Sequence, residues 1–219
     1  MNEVSAILLA AGQSQRMGAF KPLLPFGNTT VIESCIQNLR EAGVEEIVVV
    51  VGHRAEELQQ ALTGSHVTFA LNPNPNSEMS DSIACGLRAL PSEAKATLIA
   101  LTDQPSIPSE VIRAIIGQWM SGKKLVIPEF NGRGGHPVLV DLGFRGELLK
   151  LDPSSGLRSF FQAHSDQILR LPVNSPFIAR DMDTWDDYRA LHKEVFGLLP
   201  QTGSEMPRNR LGNSRDPLN

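Results

Sequence analysis

The chain has 219 residues, a formal net charge of −4, 41% hydrophobic residues and 20% charged ones, the composition of an ordinary soluble globular protein long enough to bury a core without disulfide or metal staples. Twenty basic residues against twenty-four acidic ones argue against a general polyanion binder, so no nucleic-acid partner is expected, yet a local phosphate site remains open. No apolar stretch approaches the ~20 residues of a membrane span, Met1-Asn2-Glu3 carries no basic leader, and the distant Cys35 and Cys85 suit free thiols in a reducing compartment; the expectation is a cytoplasmic protein with no membrane partner.

Residues 4–10 form an apolar run that ends in small residues, the pattern of a strand buried on both faces. Residues 30–42 place Val31, Ile32, Cys35, Ile36 and Leu39 on one helical face behind a Thr30/Glu33 capping box. A second buried strand is predicted at 46–51, a short helix at 54–62, a third strand at 67–71 and a Pro/Asn-rich loop at 72–76. Residues 80–90 read as a helix stopped by Pro91, 97–101 as a fourth buried strand ending in Thr102-Asp103-Gln104-Pro105, and 109–120 as a helix. Strands at 125–128 and 137–140, short helices at 142–151 and 156–164, a strand at 168–173 and a Thr184-capped amphipathic helix to about residue 196 follow. Beyond the folded domain of residues 1–197, the polar stretch 198–219 is expected to be a disordered tail. At its start, Leu199-Pro200-Gln201-Thr202-Gly203 matches a cell-wall anchoring signal, but the hydrophobic tail and terminal positive charge which that signal needs are missing, and the match reads as coincidence.

Strands alternating with helices over short links predict βαβ units, hence an α/β, Rossmann-like three-layer sandwich with a mostly parallel central sheet. Ligands of such sheets sit beyond the carboxyl ends of the strands, which singles out the loops after Leu9, Leu71 and Leu101. The first of these, Leu9-Ala10-Ala11-Gly12-Gln13-Ser14-Gln15-Arg16-Met17-Gly18 with Lys21 behind it, lets backbone approach a ligand closely and offers successive N–H groups to phosphate oxygens. Arg16 and Lys21 add a bidentate grip and a point charge. The stretch is neither GxGxxG nor a P-loop, and on spacing alone a tight turn with solvated cations explains it equally well. Asp103, at the end of a buried strand, either points a carboxylate into the cleft or caps a turn. His53, His66, His164 and His192 show no metal-ligand spacing, so zinc is not expected.

The LAAGxSxRMG stretch followed by Lys21, the Thr102-Asp103-Gln104-Pro105 turn, Gly134-Gly135-His136-Pro137-Val138, Gly156-Leu157-Arg158, and Asp181-Met182-Asp183-Thr184 with Asp186-Asp187-Tyr188 together resemble the MobA-like nucleotidyltransferases, and within them the MocA-type molybdenum cofactor cytidylyltransferases. The resemblance runs along most of the chain. It implies a fold of the nucleotide-diphospho-sugar transferase type and Mg²⁺-dependent transfer of CMP from CTP to a molybdopterin-type acceptor, with release of pyrophosphate. A target molybdoenzyme is a possible further partner.

By the same resemblance, Leu9, Ala10, Ala11, Gly12, Ser14, Arg16, Lys21, Asn72, Ser82 and Asp103 contact the nucleotide, with Arg16, Lys21 and Asp103 catalytic. Asp103 and Asp183 hold Mg²⁺, with Asp181 an alternative ligand, and Gln104 and His136 face the acceptor. Ala11 favours CTP, because relatives with LAGG here use GTP. Glu78 stands where the family has a glycine and puts a carboxylate in the nucleotide wall. Other readings stay open: a guanylyltransferase, a cytidylyltransferase for another phosphorylated acceptor, a non-catalytic nucleotide-binding accessory protein for molybdoenzyme maturation, or a dinucleotide-dependent oxidoreductase.

Overall fold

A computed structural model describes residues 3–12 and 17–200; Ser14, Arg16 and the 201–219 part of the expected tail lie outside the described residues. The chain opens with β1 (Val4–Leu9), a 3₁₀ turn at Lys21–Leu23, a small hairpin of β2 (Pro25–Phe26) and β3 (Thr29–Thr30), and α1 (Val31–Glu41). Then follow β4 (Ile47–Val51), α2 (Ala55–Ala61), β5 (Thr68–Leu71), α3 (Met79–Ala89), β6 (Ala96–Leu101) and α4 (Ser109–Met120). The second half holds β7 (Leu125–Phe130), β8 (Arg133–Gly134), β9 (Val138–Asp141), a 3₁₀ turn at Leu142–Phe144, α5 (Arg145–Leu148), α6 (Gly156–Ala163), β10 (Ile168–Pro172), a 3₁₀ turn at Pro176–Ala179 and α7 (Trp185–Phe196).

The strand order is β5-β4-β1-β6-β9-β7-β10, with the short β8 paired on β7. Pairing is parallel except at β9, which runs against both β6 and β7, and at β8. The expected mostly parallel sheet is therefore present. β1 lies at its middle, and its side chains alternate between two cores: Ala6 and Leu8 pack with Ile32, Leu39, Leu58 and Ile115 from α1, α2 and α4, while Ile7 packs with Ile83, Leu87, Leu148 and Phe160 from α3, α5 and α6. Helices cover both faces, which is why the central strands read as unbroken apolar runs. On α3, a Cβ at Gly86 would stand 2.5 Å from Ile7 Cγ2 and 3.0 Å from Val50 Cγ2, so the missing side chain lets this helix press onto the sheet.

The capping box that heads α1 is formed, with Thr30 N–H donating to Glu33 Oε2 at 2.7 Å and Glu33 N–H to Thr30 Oγ1 at 3.4 Å. Thr184 and Asp187 repeat the arrangement at α7. A third cluster joins α7 to the N-terminal region through Met17, Phe26, Val31, Met182, Tyr188 and Leu191. Within it the Trp185 indole donates to Met17 O at 3.0 Å, whereas Trp119 on α4 donates to Asp141 Oδ2 at 2.9 Å. Among the described residues, no helix is long and apolar enough to cross a membrane.

Candidate functional site

β1 and β6 end side by side and are locked there: Leu9 O accepts from Thr102 N at 3.2 Å and from Thr102 Oγ1 at 2.6 Å. Just beyond this lock, where parallel strands direct their ligands, opens a cleft of about 290 Å³. Leu9, Ala10, Ala11 and Gly12 form its floor, Lys21 and Asp103 line it, and Pro75, Ser77, Glu78, Met79 and Ser82 supply a further wall. Among the described residues, a Cβ placed on Gly12 would meet nothing within 4 Å. No described neighbour therefore demands its bareness, which leaves room at the cleft itself.

Two segments far apart in sequence meet at Asp103. Met182 N–H donates to Asp103 O at 3.1 Å, which holds the Asp181–Asp183 stretch against the end of β6. Lys21 Nζ, largely buried, reaches Asp183 Oδ1 at 3.0 Å across 162 residues of sequence. Asp103 Oδ1 is buried and finds no hydrogen-bond partner among the described residues. Burial, then the charge of Asp181, pushes the Asp103 carboxyl up to about 6; Lys21 pulls it back down and Asp183 adds to the rise. A buried carboxylate oxygen without a donor, crowded by two further carboxylates, is an arrangement that a divalent cation would relieve. Among the described residues, no group of three or more Asp, Glu, His or Cys side chains is arranged to hold a metal ion by itself.

Asn72 and Ser82 take different positions. Ser82 lines the cleft. Asn72 is buried behind it, and its amide Nδ2 donates to Ser77 Oγ at 2.7 Å and to Ser82 Oγ at 2.9 Å. It holds the wall rather than forming its surface. Glu78 heads α3 and its own N–H donates to Asp81 Oδ2 at 3.3 Å.

The two acceptor candidates, Gln104 and His136, lie beside this cleft instead of inside it, and Asp181 connects them. Gln104 Nε2 donates to Asp181 Oδ1 at 2.6 Å. Burial holds the His136 imidazole below its ordinary range, with the Asp181 charge acting in the opposite sense. His136 N–H donates to Ile178 O at 2.8 Å, and an adjacent, wider cleft of about 900 Å³ runs past His136, Leu157, Arg158 and Arg170. His136 reaches this rim because β9 runs backwards, so the start of that strand lies where its neighbours finish. The resemblance offered Asp181 only as a substitute metal ligand; its contact with Gln104 and its influence on both Asp103 and His136 are long-range consequences that no local pattern signals.

Comparison with known proteins identifies the family. Residues 6–168 match the family described as MobA-like NTP transferase domain. The chain is similar to the molybdenum cofactor cytidylyltransferase of Escherichia coli (strain K12), 25% identical over 189 residues that cover 86% of this chain and 95% of that protein. It is also similar to nicotine blue oxidoreductase of Paenarthrobacter nicotinovorans, 26% identical over 198 residues, covering 86% and 96% of the two chains. Among solved structures, Rv0371C of Mycobacterium tuberculosis H37Rv in complex with manganese matches with a TM-score of 0.75 at 25% identity, covering 87% of this chain and 98% of that one. The fold is that of the nucleotide-diphospho-sugar transferases. With the family pattern spanning both halves of the sheet, this chain belongs to the MobA-like NTP transferase domain family and is a nucleotidyltransferase of that family.

Proposed function

We propose that this protein transfers CMP from CTP to the terminal phosphate of a molybdopterin-type acceptor and releases pyrophosphate. One observation carries the reading: Lys21, Asp103 and Asp183, from three separate segments, are joined at a cleft floored by small residues. The similarity to a molybdenum cofactor cytidylyltransferase along 86% of this chain supports the choice of nucleotide and acceptor, as does the alanine at position 11 of the cleft lining, where the guanylyltransferase pattern has glycine.

A phosphate monoester has its second pKa near ~6, so the attacking oxygen is already an anion at neutral pH and no general base is required. An acceptor phosphate oxygen forms a new bond to the α-phosphorus, the bond from that phosphorus to the bridging oxygen breaks, and pyrophosphate leaves with the electron pair. The obstacles are repulsion between anions and charge growing on the leaving group, and both are met by positioning and fixed charge. Lys21 serves the phosphate chain, and Gly12 with its neighbours lets backbone N–H groups approach it. Asp103 and Asp183 would hold a divalent cation, whose chemistry at such a site is neutralisation and alignment of the triphosphate. The manganese complex of the related Rv0371C is in keeping with a metal here. Arg16 joins Lys21 by resemblance alone.

The test is turnover by the purified protein with CTP, GTP or ATP, Mg²⁺ and molybdopterin, read as pyrophosphate release. CTP is expected to be the preferred donor; preference for GTP would remove the Ala11 argument, and no release with any of them would defeat the proposal. The oxidoreductase relative makes a second reading worth one control, the binding of NADH or NADPH. None is expected, because the loop lacks the GxGxxG spacing that seats a dinucleotide.

A further inference from the structure

Building on the reading of this cleft as a nucleotide site, we propose that Glu78 selects the base: its carboxylate accepts a hydrogen bond from the exocyclic amino group of cytosine and disfavours uracil, which presents a carbonyl oxygen there.

The argument begins with the polarity of the cleft. Asp103 follows β6, which borders β1 on one side; the loop that carries Glu78 follows β5, which lies on the other side of β1 beyond β4. Lys21 and the proposed cation site lie with Asp103. A polyanionic triphosphate belongs at that end, and Glu78 would repel it at the other. What remains for the Glu78 wall is the base. Pro75 and Met79, the latter 47% exposed, give that wall apolar surface beside the carboxylate, as a flat heterocycle requires.

The wall is also held in place before any ligand arrives. Asn72 donates to Ser77 and Ser82, its own Oδ1 accepts from Asn74 N at 3.2 Å, and Asn74 Oδ1 accepts from Asn76 N at 3.0 Å. The loop that leads to α3 is thus tied by two side-chain-to-side-chain bonds from Asn72 and by two backbone N–H groups donating to asparagine side chains. An ionised carboxylate is an acceptor only. Placed opposite position 4 of the pyrimidine ring, it accepts from the amino group of cytosine and meets a repelling carbonyl oxygen in uracil, whose own N–H lies one ring position away. The motif that this stretch resembles has a glycine at this position, with no side chain to make the distinction.

Calorimetric titration of the full chain with CTP and with UTP, each with Mg²⁺, tests the idea in the wild type, Glu78→Gln and Glu78→Ala. Glu78 is exposed but sits at the N-cap of α3 in a capping box with Asp81, so Glu78→Gln, which keeps a side-chain acceptor there, is expected to melt with the wild type and Glu78→Ala a few degrees lower. The wild type is expected to bind CTP about 10- to 100-fold more tightly than UTP, the range of one charge-assisted hydrogen bond. Both variants should bring that ratio below about threefold, mainly through weaker CTP binding. Equal binding of CTP and UTP by the wild type, or a ratio unchanged in the variants, overturns the role of Glu78 and leaves the nucleotide site standing. Failure to bind either nucleotide overturns both.

Discussion

Asp103 and Gly12 show how single positions in this cleft favour a ligand over the protein's own comfort. With its carboxyl raised to about 6 from an ordinary 3.8, Asp103 is harder to ionise in the folded chain than in the unfolded one. The stability linked to it is therefore fully present below the unfolded value and is lost as pH rises through 6. Asp103→Asn, a neutral isostere, should raise the stability of the metal-free protein at pH 8 by about 2–3 kcal/mol, and the gain should fade towards pH 4. Thermal melts at both pH values, with and without Mg²⁺, check this; a variant less stable than the wild type in metal-free buffer at pH 8 would contradict it. Gly12→Ala should leave the melting temperature unchanged, since no atom of the described residues is within 4 Å of the added methyl, yet weaken CTP binding at least about tenfold, in line with a ~1.4 kcal/mol loss of contact. That Asp103 ends a buried strand was legible from the sequence. Its orphaned oxygen was not, and Asp181, nearly eighty positions away, was offered only as a substitute metal ligand and not as the partner of Gln104.

Elements with a strong local period or a complete cap were easy to read. The helix predicted at 109–120 is α4 (Ser109–Met120) to the residue, the predicted Thr30/Glu33 capping box is made, and Thr184 caps α7 as expected. The β2–β3 hairpin was missed because strands of two residues carry no period, and the predicted helix at 142–151 divides into a 3₁₀ turn and the short α5. The loop after β5 belongs to the same scale. Its polar Asn/Ser composition marked it as a loop, but only the folded chain turns Asn72 inward as a brace. Asn72→Ala removes two hydrogen bonds from buried or partly buried hydroxyls and should cost about 1–3 kcal/mol in urea unfolding. It should also raise the KM for CTP, with little effect on the KM for the acceptor. An unchanged KM for CTP would show that the loop needs no brace.

For the whole molecule, alternation of strands and helices revealed the class of fold and the rim where ligands gather. The reversal of β9 was not legible, because an apolar run reads the same in either direction. Equally hidden was the closure of the site from both ends of the chain, through Lys21 with Asp183 and Met182 with Asp103. If that closure holds a cation, saturating Mg²⁺ and CTP at about 100 times Kd should stabilise the wild type by about 2.7 kcal/mol. Asp183→Ala should lose at least half of the resulting shift in melting temperature, and a full shift in that variant would exclude Asp183 as a ligand. The two indoles of the chain have opposite postings. Trp185 is moored to Met17, just after the proposed nucleotide loop, and Trp119 is moored to Asp141, which pairs with Ala96 at the other pole of the sheet. Intrinsic fluorescence thus comes with a sensor and a reference already installed, and replacing either indole with Phe would let occupancy of the loop be followed in real time without a dye.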